Sequence, residues 1–130
     1  MDTSPEYIEM CRKAKEIQVS EPYDIYYANI YAYMRYNKIE NIGTLWHGGH
    51  IYRGNPVWLP RQDQLQEILW NNFRLPCAEL KLFMEYIHAI TNPNYRYWHD
   101  FNSMEQLWLA FVMKEKYNKS WINGEWRIND

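Results

Sequence analysis

Three places in the 130-residue chain bring side chains capable of chemistry close together in sequence. His47-Gly-Gly-His50 has the spacing of two metal-binding imidazoles. Zinc, however, takes at least three ligands from protein. The other histidines, His88 and His99, and the thiol of Cys77 are far off in sequence. A glycine-kinked loop with two surface imidazoles is the simpler account, and neither metal nor cofactor is expected. Asp63 and Glu67 stand at i and i+4, where paired carboxylates could move a proton or hold a cation. A solvated helix face with Asp63 near the positive dipole end explains them equally well. His99 and Asp100 are adjacent, and neighbours in sequence rarely form an orienting pair. The chain has no Gly-rich phosphate loop, no C-x-x-C, no G-x-S-x-G and no zinc-protease motif. No catalytic residue is therefore expected.

These groups must be carried by a framework, and its loudest part is Ser103–Tyr117. Ser103 followed by Gln106 is a capping box, in which each residue satisfies a free N–H of the first turn. Met104, Leu107, Trp108, Phe111 and Val112 recur at helical spacing on one face. Leu109, Ala110, Met113 and Tyr117 cover the other side. A helix apolar nearly all round is buried on more than one side, so this stretch reads as scaffold. Its length would be roughly 22 Å, about the width of a small domain.

A first helix is expected over residues 4–18, with Ser4 as N-cap and Pro5 at the first helical position. Tyr7, Met10, Cys11, Ala14 and Ile17 face inward, which makes Cys11 a packed thiol. Residues 23–36 alternate in strand fashion and are rich in tyrosine, although a helix after Pro22 would also fit. A polar turn over 37–41 and a strand over 42–52, bent at Gly48-Gly49, would complete an antiparallel hairpin. After a turn at Asn55-Pro56, Pro60 opens a second helix. Leu65, Ile68, Leu69 and Phe73 form its buried face. Arg61 and Gln62 fall back toward that face and should find partners. A third helix, 76–90, points Leu80, Phe83, Met84, Ile87 and Ile90 inward, and an aromatic loop fills 91–102. Finally, Asn123-Gly124 between strand formers signals a hairpin in which Trp121 faces Trp126.

The expected fold is thus α+β in a single domain, 1–130. About four helices surround a central apolar helix (103–117), with a Tyr-rich antiparallel β-hairpin (about 23–52) and a short C-terminal hairpin. Net charge is −2, too weak a field to draw the chain to nucleic acid or anionic lipid. Seven Trp and twelve Tyr reconcile a mean hydropathy of −0.67 with 47% hydrophobic residues, since each has an apolar body and a polar tip. The longest apolar run, Leu107–Met113, is far too short for a bilayer. An acidic N-terminus without an apolar stretch and only two cysteines point to the reduced cytoplasm.

Two blocks carry a family likeness. Trp58-Leu-Pro-Arg-Gln-Asp-Gln-Leu-Gln-Glu67, and Ser103–Tyr117 leading into Trp121 and Gly124-Glu125-Trp126, resemble small proteins encoded by phages and prophages of Gram-positive bacteria. The likeness spans about a third of the chain and leaves residues 20–56 unmatched. That group brings no catalytic residues. It implies a cytoplasmic accessory protein of a mobile element.

The leading expectation is a non-enzymatic protein that binds a protein partner. Its contact surface would be built from Trp58, Arg61, Gln62, Asp63, Gln66, Glu67 and Trp70. Trp70 lies near the outer face of its helix, where a large aromatic is a candidate anchor. One alternative is nucleic-acid binding, with Arg35, Arg53, Arg74 and Arg96 beside stacking tyrosines. A second is an enzyme acting on a small ligand.

Overall fold

The computed structural model describes residues 1–20, 29–35, 38–43, 56–70, 76–92 and 101–130. They form a mixed α+β fold with small antiparallel sheets. The chain divides into two compact units, Met1–Pro60 and Arg61–Asp130.

The first unit begins with α1, Pro5–Lys13, and α2, Lys15–Gln18. Ser4 caps α1 as its sequence promises, its hydroxyl accepting from the Tyr7 N–H at 3.2 Å. The single helix expected over 4–18 is broken at Ala14, whose φ of −82° and ψ of 71° leave the helical region. Alanine is the best helix former, so the cause lies elsewhere. The Gln18 amide donates to the Cys11 carbonyl at 3.1 Å and to the Trp58 carbonyl at 3.0 Å, and accepts from the Trp58 N–H at 2.8 Å. Bringing that amide to the strand requires the chain to turn after α1. Tyr7, Met10, Cys11, Ala14 and Ile17 are nonetheless all buried, so the inward face survives the break.

Three strands follow: β1, Ile30–Arg35; β2, Lys38–Gly43; and β3, Val57–Leu59. Their order is β2-β1-β3 and both pairings are antiparallel. The strand reading holds for 30–35. The polar turn expected over 37–41 is instead strand from Lys38 onward. Tyr33 pairs with Asn41 and Met34 with Ile39, so Glu40 is the extra residue of a bulge. Trp58, expected beside a helix start, lies in β3 opposite Tyr31. Tyr31, Ala32 and Tyr33 are buried in succession, as are Val57, Trp58 and Leu59, so both faces are covered where β1 pairs with β3, while Lys38 and Ile39 of β2 are exposed. The Tyr7 hydroxyl donates to the Pro60 carbonyl at 2.6 Å and ties α1 to the end of β3. Residues 23–28 and 44–52, including Gly48-Gly49, lie outside the described residues.

The Gln18 clamp can be tested. Gln18→Ala leaves the N–H and C=O of Trp58 without their side-chain partner. Water can reach this half-buried site, so the expected loss is about 1 kcal/mol. It would appear as a lower urea midpoint at unchanged slope; an unchanged midpoint would mean the clamp adds nothing.

The second unit holds α3, Gln62–Trp70; α4, Pro76–Ile90; α5, Met104–Tyr117; and the strands β4, Lys119–Ile122, and β5, Glu125–Ile128. Ser103 caps α5, accepting from the Gln106 N–H at 3.1 Å, and the Gln106 side chain reaches back to the Asn102 N–H at 2.9 Å. Asn118 ends α5 in the left-handed region, φ 54°, and turns the chain straight into β4. Trp108 through Met113 are all buried, whereas Met104 is exposed, contrary to the expected apolar face. Asn123 and Gly124 both have positive φ, the signature of a type I′ turn. Trp121 pairs with Trp126, their rings 4.9 Å apart. The open end of this hairpin is held by Asn129, whose N–H donates to the Asn118 carbonyl and whose amide oxygen accepts from Ser120. No helix among the described residues is long and apolar enough to cross a membrane.

Candidate functional site

The second unit contains a groove of about 660 Å³ lined by Asp63, Gln66, Glu67, Pro76, Glu79, Leu80 and Trp108. Three helices place these residues.

In α3, Arg61 occupies the N-cap position, since its carbonyl accepts from the Leu65 N–H. The Gln64 side chain reaches back to the Arg61 N–H at 3.0 Å, the returning half of a capping box. Arg61 also grips Asp63 with two nitrogens, each 3.0 Å from a carboxylate oxygen. That guanidinium, helped by N–H groups of the first turn, holds the Asp63 carboxyl below the usual range. The partners expected for a half-buried Arg61 are therefore present. Leu65 and Leu69 turn inward, and Gln66 and Glu67 reach the groove. The helix starts at Gln62, not at Pro60.

The second wall is the first turn of α4, where Pro76 fits the initial helical position. This helix has the expected bounds but not the expected face. Leu80 and Met84, read as inward, are 56% and 60% exposed, while Glu79, Phe83, Tyr86 and Ile90 are buried. An aromatic cluster sets the rotation. Phe83 stacks on Trp108 of α5 with ring centres 4.0 Å apart and planes 7° from parallel. Phe111 meets Phe83, Tyr86 and Trp108 at 5.3 to 5.7 Å. With Phe83 and Tyr86 both packed on Phe111, the inward face lies between them, which takes in Glu79 and leaves Leu80 and Met84 on the outer side.

This rotation creates the electrostatic feature of the groove. Glu79 is 5% exposed, and its Oε1 has no hydrogen-bond partner among the described residues. Burial pushes its carboxyl above the ordinary 4.5. Trp108 is 2% exposed, and its Nε1 likewise has no partner among the described residues. An unmet acceptor and an unmet donor thus belong to residues lining one groove. Such groups are uncommon, because each costs about 1–3 kcal/mol when buried unpaired.

The contact residues expected from sequence separate into groups. Asp63, Gln66 and Glu67 line the groove together. Arg61 and Gln62 are half-buried at the start of α3, with Arg61 acting on Asp63. Trp58 is 1% exposed within β3, so it is a core side chain and not a contact anchor. The Trp70 side chain lies outside the described residues, as do His47, His50, His99, Asp100, Phe73, Arg53, Arg74, Arg96 and the Arg35 side chain. Glu79, Leu80 and Trp108 were not foreseen at a site. For Glu79 and Leu80 the only signal was an acid beside a leucine near the start of α4, and Trp108 read as core of α5. Cys11 is fully buried, and burial raises its thiol far beyond the reactive range. Cys77 is exposed at the start of α4.

Comparison of the chain with family models, with curated proteins and with solved structures finds no match.

Proposed function

We propose that this chain is a non-enzymatic accessory protein of a phage or prophage that works in the host cytoplasm by binding a protein partner at the groove between α3, α4 and α5. One observation carries the binding reading: Glu79 and Trp108 hold unmet buried polar atoms beside the exposed Leu80–Met84 stripe. Trp58 Nε1, in the core of the first unit, also has no partner among the described residues, so what sets the groove apart is that its two unmet atoms belong to residues bordering exposed apolar side chains. An exposed apolar stripe rimmed by polar groups suits a protein surface. Nucleic acid is disfavoured at this face because its phosphates would meet Glu67 and Glu79. The mobile-element context is supported by the likeness of the blocks at 58–67 and 103–126.

The test is a comparison of captures from phage-infected host lysate, followed by titration of the purified captured protein. Leu80→Arg should abolish capture without unfolding the chain, because the position is already exposed. Lys15→Glu, at an exposed position of α2, should leave capture intact. Equal recovery of every protein by wild type and Leu80→Arg would reject this face as the binding surface.

A further inference from the structure

We infer that α4 is also an interface between two copies of this chain, packed antiparallel along its exposed stripe and held in register by Lys81 of each copy against Glu85 of the other. This goes beyond the groove reading and does not depend on it.

Cys77, Leu80, Met84, Ile87 and Thr91 recur at alternating steps of three and four, the spacing of a seam between helices. Such a seam is normally closed by another helix. Here Leu80 and Met84 are 56% and 60% exposed, Cys77 and Thr91 are exposed, and Ile87 is half-buried. The rings of α5 hold Phe83 and Tyr86 on a different side of the helix. α4 thus carries two stripes, and its own chain buries one of them.

Charge names the occupant. Lys81 and Glu85 are exposed beside the seam, on the side turned away from Glu79. Neither takes part in an ion pair among the described residues. Lysine four places before glutamate is also the poorer order for a pair within one helix. When two identical helices pack antiparallel, each flank meets the same flank of the other copy. A two-fold axis near residues 82 and 83 then brings Lys81 level with the other copy's Glu85, and Glu85 with its Lys81. The same axis sets Leu80 against Met84. Parallel packing would instead set each charge level with its own kind. A second copy therefore supplies both the apolar stripe and the opposite charges. The helix has only about four turns, so the dimer is weak and reversible, at the small end of specific interfaces.

Sedimentation velocity of the full chain, with its thiols kept reduced, tests this from about 10 µM to about 1 mM. The 16.0 kDa monomer should convert toward twice that mass as concentration rises. Met84→Arg should stay monomeric throughout, and its exposed position keeps the fold intact. Lys81→Glu and Glu85→Lys each set like charges together across the axis and should weaken self-association by about tenfold. Mixed one to one, these two variants carry opposite charges at both contacts and should associate at least as strongly as wild type. A wild type monomeric at every concentration would overturn the inference. So would a Met84→Arg that still dimerises, single swaps that self-associate like wild type, or a mixture no stronger than its components. Leu80 borders both surfaces, but Met84, Lys81 and Glu85 are not among the residues lining the groove, so the two readings fail separately. A monomeric wild type with a Leu80-sensitive lysate partner keeps the groove and removes the dimer. A dimer that responds to the charge swaps, without such a partner, does the reverse.

Discussion

Phe111→Ala should cost about 3–5 kcal/mol of stability, the range for truncating a fully buried aromatic. Phe111 is 0% exposed and touches three other rings, Phe83, Tyr86 and Trp108. Truncation removes the buried surface, the edge-to-face contacts and the support for the Phe83–Trp108 stack, and the surrounding helices can close the cavity only in part. Total stabilities are about 5–15 kcal/mol, so one substitution should consume a large share. Urea unfolding followed by far-UV circular dichroism measures it. Met104→Ala is the control. Helical spacing places Met104 and Phe111 on one face, yet Met104 is 46% exposed, so its loss should stay within about 0.5 kcal/mol. Comparable losses at the two positions would contradict the packing described for α5.

That contrast marks how far the sequence could be read. Features decided within a few residues were legible. Ser103 and Gln106 cap α5 by bonds spanning three and four positions, and Asn123-Gly124 adopts the two positive φ values its turn needs. The bounds of α4 followed from Pro76 and helical spacing. Features decided by distant partners were not. The break at Ala14 depends on Gln18 meeting Trp58, forty residues on. The rotation of α4 depends on Tyr86 as well as Phe83 meeting Phe111 of α5, because Leu80-Phe83-Met84 and Glu79-Phe83-Tyr86 are both helical stripes that contain Phe83. The site inherited this split. Asp63, Gln66 and Glu67 were visible as the outer face of α3, whereas Glu79 joins them through α4's rotation and Trp108 through the packing of α5.

Removing the Glu79 carboxylate should stabilise the free protein. Burial raises the folded-state pKa of this carboxyl above its ordinary 4.5, so the folded chain holds the proton to higher pH than the unfolded chain does. The benefit of that bound proton is complete below the unfolded value. It is lost as pH rises from there through the raised folded value, so stability must fall across that window. Glu79→Gln cannot titrate and should show a flatter profile there. It should match wild type in acid and exceed it at neutral pH. Glu79→Leu also removes the unmet acceptor and should gain about 1–3 kcal/mol at neutral pH, the usual relief for an unpaired buried polar group. Leucine is close to glutamate in size and makes no polar demand of its own. Thermal unfolding at several pH values resolves all three proteins. Identical pH slopes in wild type and Glu79→Gln would show that the buried carboxyl does not drive the effect. A stabilised Glu79→Leu that has also lost its partner would locate the retained cost at the binding groove, because a group kept against stability must be kept for what it contacts.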